Sequence, residues 1–180
     1  MLAIKNFTSR AIFCGLAAAI FSGCQPPGPK ALVQGDRLTH EGKYDAAIEK
    51  LKLATQLLPK TAQAWNHLGL ALQEAGRPNE AIAAYERALQ LDRNLAAARF
   101  NLGVLHLEQN DAAAAVLDLT TFTALQPKSY VGWSKLALAQ YRARRWDDSE
   151  RSALAALKLQ SHSPEMLNTT VVPSSASIFR

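Results

Sequence analysis

Small residues recur along this 180-residue chain at intervals of 34: Gly35, Gly69, Gly103 and Ala137 form one series. Ala47, Ala81, Ala115 and Ser149 form a second, and Ala54, Ala88, Phe122 and Ala156 a third, on the same interval. Leu68, Leu102 and Leu136 precede three members of the first series. A fixed period of this length marks a stack of similar units, none of which buries its apolar face alone. Within one unit, Ala81, Tyr85, Ala88 and Leu89 share one face at helical spacing. Gly42, Gly76 and Asn110 fall at matching points between apolar stretches, where a turn between two helices is expected. With 48% hydrophobic and 19% charged residues and only 9 Gly and 8 Pro, the composition suits helices joined by short turns.

The residues at these points resemble the tetratricopeptide repeat. Trp65-Asn66-His67-Leu68-Gly69 with Leu72 matches its first part, Ala81 with Tyr85 its second, and Ala88 its third. Trp133 and Leu136 restart the pattern, and Pro59 and Pro127 take its closing Pro slot, where Pro stops one helix and sets the next turn. The resemblance implies an all-α fold, a right-handed superhelix of about four helix-turn-helix repeats at 28–61, 62–95, 96–129 and 130–163, within a repeat domain of 31–163. Each repeat has a first helix, A, and a second, B. Small residues sit where helices cross, and Trp, Leu, Tyr or Phe fill the space between crossings. Ala31 and Gln34 replace the Trp and Leu of the first repeat, so its helix A is expected to be the loosest. Phe122 occupies a small-residue slot, and Gly132 on the next helix is expected to make room for it. Arg93 and Ser161 replace the closing Pro.

The two ends read differently. Lys5 and Arg10, an apolar run over 11–21 and Ser22-Gly23 describe an export signal over 1–23. That run is too short to cross a bilayer as a helix, which takes about 20 residues. Phe21-Ser22-Gly23-Cys24 resembles a bacterial lipobox, with Phe21 where Leu is usual. The resemblance implies cleavage before Cys24, lipid attachment to Cys24, and, with Gln25 rather than Asp next, an outer-membrane lipoprotein facing the periplasm. Three acyl chains make a permanent anchor where one does not. An ordinary secretion signal cut near Ala17–Ala19 is the alternative. Gln25 to Pro29 reads as an extended tether, so that 24–30 links anchor and repeats. Pro164 to Thr169 has the start of a fifth helix A, which Pro173 stops, so 164–180 is expected to hold a short capping helix at most before an irregular tail.

Little here points to chemistry. Cys14 and Cys24 are the two cysteines, so the repeats hold neither a disulfide framework nor a Cys-based zinc site. His40, His67, His106 and His162 lie on different repeats without metal-ligand spacing; His40 falls near the end of a helix A, His106 between helices, and His67 toward the groove. There is no phosphate-binding loop, dinucleotide fingerprint or nucleophile elbow. Asp147, Asp148 and Glu150 open a helix B, where acids suit the helix dipole. Trp65, Tyr85 and Trp133 read as core. Without Lys5 and Arg10 the net charge falls from +5 to +3, and the one tight basic group is Arg142, Arg144 and Arg145. A nucleic-acid binder needs a larger basic stripe. No catalytic site, cofactor or metal is expected.

The expected function is binding. In tetratricopeptide arrays helices A line a concave groove, and the resemblance places there Asn66, His67, Leu70, Gln73, Glu74, Phe100, Asn101, Val104, Leu107, Glu108, Ser134, Lys135, Leu138, Tyr141 and Arg142. Amides on a rigid helix bond an extended peptide's backbone, and Phe100, Val104 and Leu138 offer apolar anchoring. One known use of the fold clamps a C-terminal carboxylate, but Leu70, Val131 and Lys135 replace the Asn, Lys and Arg that clamp requires. The reading is a membrane-anchored periplasmic scaffold that binds protein or extended peptide. The alternative is a secreted module, not lipidated, that joins a complex through its convex face or ends.

Overall fold

The computed structural model describes residues 26–161, in which eight helices follow one another with no strand among them. They are α1 (Pro27–His40), α2 (Tyr44–Leu57), α3 (Ala62–Glu74), α4 (Pro78–Leu91), α5 (Ala96–Glu108), α6 (Ala112–Leu125), α7 (Tyr130–Arg142) and α8 (Trp146–Ser161). The expected export signal, Cys24, His162 and the tail from 164 onward lie outside the described residues. Odd-numbered helices are A and even-numbered B, and the starts of α3, α5 and α7 at 62, 96 and 130 keep the 34-residue period. This is an all-α repeat solenoid.

The periodic glycines show what holds each pair together. A Cβ on Gly69 would stand 2.6 Å from Tyr85 Cδ1, one on Gly103 2.7 Å from Leu119 Cγ, and one on Gly35 2.7 Å from Leu51 Cδ2. The small residue of helix A is therefore the seat for the large residue of its own helix B. Tyr85, Leu51 and Leu119 are fully buried as a result. A larger side chain at the seat pushes the helices apart, and overpacking of this kind costs about 1–3 kcal/mol.

Between repeats the same rule operates with one exchange of size. Ala54, Ala88 and Phe122 recur on helices B, and Ala64, Ala98 and Gly132 on the helices A that follow. Phe122 is buried, and a Cβ on Gly132 would stand 2.7 Å from its Cδ1 and closer still to Cε1. Gly132 does make the room that Phe122 needs. The Phe122 ring also meets Phe100, with centroids 5.0 Å apart at 49°.

The turns follow from backbone sterics. Gly42 and Gly76 have φ of +72° and +71°, and Asn110 has +61°, which are the left-handed conformations that end a helix A. In the fourth repeat the residue is Arg144, at φ +58°. The last carbonyls of each A helix are taken by this turn, for example Gly42 N–H to Thr39 O and Lys43 N–H to Leu38 O. On the B-to-A side, the indole Nε1 of Trp133 donates to Pro127 O at 3.0 Å and that of Trp65 to Pro59 O at 3.4 Å. The Trp and Pro slots thus act together to fix the connecting loop. Both Trp side chains are half-buried against the core rather than inside it, whereas Tyr85 is fully inside.

The tether expected over 24–30 is shorter than the composition suggests. α1 begins at Pro27, and Gly28 is buried against Leu58. Pro costs nothing in a first turn, where its missing N–H has no helical partner. Helix α1 buries only Gly28, Ala31 and Gly35, with Leu32 and Leu38 laid partly against the core. No large side chain anchors it, as the replacement of Trp and Leu by Ala31 and Gln34 implies.

Candidate functional site: the face shared by the A helices

Successive A helices touch one another directly, α1 with α3, α3 with α5 and α5 with α7, while successive B helices make no comparable contact. The A helices therefore lie on the inner side of the curve, and their free faces form its concave surface. Side chains link them along this surface. Asp36 Oδ1 and His67 Nδ1 are 2.8 Å apart, Asn101 Nδ2 donates to Asn66 Oδ1 at 3.2 Å, and Gln73 Nε2 donates to Glu108 Oε2 at 3.1 Å. Arg142 Nη1 donates to Leu107 O at 2.7 Å. Each link joins one repeat to the next, and Gln73–Glu108 and Leu107–Arg142 use equivalent positions of successive repeats.

Most of the expected groove residues fall on this surface with some exposure. His67, Asn101 and Lys135 form one row, one residue per repeat, each half-buried. Leu70, Val104 and Leu138 form a parallel row, half-buried in the first two and 39% exposed in the last. Glu74, Glu108, Ser134, Tyr141 and Arg142 are exposed, and Gln73 is half-buried.

Three expectations change. Asn66 is only 8% exposed, because Asn101 of the next repeat lies over it. It positions Asn101 and is not itself a free contact. Leu107 is buried with Leu136 and Ala139, which places it in the core of the fourth repeat's packing. Phe100 packs on Phe122 and offers a partner an edge rather than a whole ring.

A buried charge cluster was not legible as such. Asp118 is 5% exposed; Arg99 Nη1 donates to its Oδ1 at 2.8 Å, and His106 Nε2 stands 3.7 Å from its Oδ2. Arg99 and His106 occupy the Trp and Tyr slots of the third repeat, and Asp118 reaches them from α6. Their places in the 34-residue pattern mark all three as unusual, but only the structure joins them. The clue was that Arg99 and Asp118 both fall where the second repeat has apolar residues, Trp65 and Ala84.

At the start of α8, Asp148 is bonded by Arg145 Nε at 2.7 Å and also contacts Arg151. The Arg145 guanidinium holds the Asp148 carboxyl below the usual carboxylate range. Asp148 is thereby committed to an ion pair at the helix start. Among the described residues no three His, Cys, Asp or Glu side chains are grouped to hold a metal ion, and no helix is long and apolar enough to cross a membrane.

Comparison with known proteins agrees with this geometry. The model of the tetratricopeptide repeat matches residues 62–95, and a second tetratricopeptide-repeat model matches 35–76. Residues 35–95 thus carry tetratricopeptide repeats, which are typically modules of protein–protein interaction. The peroxisomal targeting signal receptor of Candida albicans is 42% identical over 62 residues, 34% of this chain and 10% of the receptor. This chain thus spans about a tenth of the length of that relative. Among solved structures, MamA superimposes with a TM-score of 0.71 at 23% identity, over 74% of this chain and 78% of the other. The first tetratricopeptide domain of Spaghetti (RPAP3), bound to an HSP90 peptide, superimposes with a TM-score of 0.64 at 17% identity, over 66% and 94%. At these identities the two structures show the shared fold.

Proposed function

We propose that this protein is a non-catalytic adaptor that holds an extended segment of a protein partner against its A-helix face. The observation that carries this reading is the pair of parallel rows, His67–Asn101–Lys135 and Leu70–Val104–Leu138. Neighbouring helices stand roughly 8–10 Å apart, and a segment extended as polyproline II advances about 3.1 Å per residue with about three residues per turn. Every third side chain of a bound segment therefore meets the next apolar residue, while the polar row bonds its backbone. The peptide held by the RPAP3 domain supports the idea that a surface of this kind takes peptides. Leu70, Val131 and Lys135 stand where a carboxylate clamp needs Asn, Lys and Arg, so the proposed partner is an internal segment rather than a free C-terminus.

The proposal extends to place. The export signal and the Phe21-Ser22-Gly23-Cys24 sequence support a lipid-anchored protein on the periplasmic face of an outer membrane. In this reading Cys24 is the anchor and the solenoid begins a few residues beyond it, close to the lipid surface.

Two experiments test these parts separately. Crosslinked capture from intact cells with the wild-type chain, set against Asn101→Ala/Lys135→Glu/Leu138→Asp, tests the groove; a partner must be lost by the variant while its helical circular dichroism is unchanged. Equal capture by both moves the interface to the convex face or the ends. Cell fractionation of Cys24→Ser tests the anchor: release from the membrane is expected, and unchanged membrane association contradicts lipidation.

A further inference from the structure

We propose that the A-helix face sorts its partners by charge: the bound segment carries Lys or Arg opposite Glu74 and Glu108, and an acid opposite Arg142. The inference rests on the groove proposed above and adds to it the class of partner. Glu74, Glu108 and Arg142 form a third row beside the polar and apolar ones, at equivalent positions of successive repeats, and all three are exposed. Each is the last residue of its A helix, as His40 is in the first repeat. The carbonyl end of a helix bears partial negative charge and favours a cation. His40 and Arg142 obey that preference, whereas Glu74 and Glu108 oppose it. Among the described residues no Lys, Arg or His side chain is in ion-pair contact with either carboxylate. Glu41 and Glu80, by contrast, are paired with Arg37, Lys43 and Arg77.

The charges of this row are held in place without being neutralised by one another. Gln73 Nε2 donates to Glu108 Oε2 at 3.1 Å, and Gln73 Oε1 accepts from the Tyr85 hydroxyl at 3.0 Å, so a neutral amide fixes Glu108. Burial pushes the Tyr85 phenol up, and Glu74 and Glu108 add to that push, so both carboxylates bear on one point. Arg142 is fixed as well: its Nη1 donates to Leu107 O at 2.7 Å, which leaves Nε and Nη2 to meet a carboxylate. The row therefore runs negative, negative, positive along the groove. A polyproline II segment presents every third side chain on one edge, about 9 Å apart, which matches the spacing of neighbouring helices. With one edge on Leu70, Val104 and Leu138, the adjoining edge meets Glu74, Glu108 and Arg142 in turn. Two cations followed by an anion satisfy all three positions. A uniformly charged segment faces at least one like charge, and such a juxtaposition is how an interface refuses a wrong partner.

Peptide binding to the full chain, read by fluorescence anisotropy at low salt, tests the inference. The probes are four labelled nonapeptides in which Leu-X-Pro is repeated three times, with X in order Lys-Lys-Glu, Glu-Lys-Lys, Lys-Lys-Lys or Glu-Glu-Glu. Leu and Pro keep the spacing, so only charge differs, and the two mixed orders cover both directions of the bound chain. The better mixed peptide is expected to bind about fivefold tighter than Lys-Lys-Lys and about tenfold tighter than Glu-Glu-Glu, with the differences closing in about 1 M salt. In Arg142→Glu the Lys-Lys-Lys peptide is expected to become the tightest, and in Glu74→Lys/Glu108→Lys the Glu-Glu-Glu peptide. These are gains of binding, which a misfolded variant does not give. Equal binding of all four by the wild type, or a ranking that both variants leave unchanged, overturns the inference and leaves the groove standing. Binding of none of the four removes the groove and the inference with it.

Discussion

The second and third repeats occupy neighbouring places in one solenoid and fill the same slots by different chemistry. The second uses Trp65, Leu72, Ala84 and Ala88, and its core runs unbroken into those of its neighbours. The third puts Arg99, His106, Asp118 and Phe122 at the matching positions. The buried apolar cluster divides there, one part ending at Leu105 and the other starting at Leu107. Both repeats nevertheless keep the same helix lengths and the same seat for a large B-helix residue, Gly69 with Tyr85 and Gly103 with Leu119. The architecture thus depends on volume at the crossings, while the outer slots accept charge provided that the charge is paired. In the third repeat the pairing is incomplete, since Arg99 Nε is buried without a partner. The ion pair therefore fills its slots at a cost that the apolar solution avoids.

Exchanging the two solutions tests this contrast. Asp118→Ala leaves the Arg99 guanidinium without its counter-charge and is expected to lower unfolding free energy by about 3 kcal/mol, read from urea denaturation. Arg99→Trp/Asp118→Ala, which copies the second repeat, is expected to recover most of that loss. If the double variant is no more stable than Asp118→Ala, the pairing account fails. The next effect concerns size. Gly132→Leu is expected to cost about 2 kcal/mol by displacing Phe122, whereas Phe122→Ala/Gly132→Ala reproduces the Ala88/Ala98 junction and is expected to stay close to wild type in melting temperature.

A smaller effect sits in the second repeat. Tyr85 O–H donates to Gln73 Oε1 at 3.0 Å, so Tyr85→Phe is expected to cost about 1 kcal/mol. Burial pushes the Tyr85 phenol above its ordinary value, with Glu74 and Glu108 acting in the same direction. The unfolded chain then releases this proton at lower pH than the folded one. The contribution is fully present below about pH 10 and falls as pH rises from there toward the folded value. The gap between wild type and Tyr85→Phe in urea midpoint is expected to narrow between pH 8 and pH 11, and a constant gap would remove the linkage. Smallest is Arg144→Gly. A left-handed non-Gly residue is strained by about 1 kcal/mol, partly offset by the freedom Gly gives the unfolded chain. A gain of a few tenths of a kcal/mol in calorimetry is expected.

How far the sequence could be read follows from what each feature depends on. The period, the helix pairs, Gly42, Gly76 and Asn110 at the turns, and the fit of Phe122 to Gly132 are local or strictly periodic, and they were legible. The α1 start at Pro27 was misread because three prolines and a glycine look like linker, although Pro is well placed in a first turn. Arg144 in a Gly-like turn carried no residue signal. On the groove, the direction of each A-helix position was legible from the pattern. Its degree of burial was not, because Asn66 is covered by Asn101 of the next repeat, a contact between residues 35 apart. The Arg99–Asp118–His106 cluster is likewise a meeting of two helices that no single segment reveals.

Site-specific photo-crosslinking in living cells tests most directly whether binding belongs to the A-helix face. A crosslinker is placed at position 101, among the A helices, and in a second chain at position 117, where Leu117 is 68% exposed on the B helix α6. The account predicts a discrete crosslinked partner from position 101 and none from position 117. A partner trapped from position 117 and absent from position 101 would contradict it.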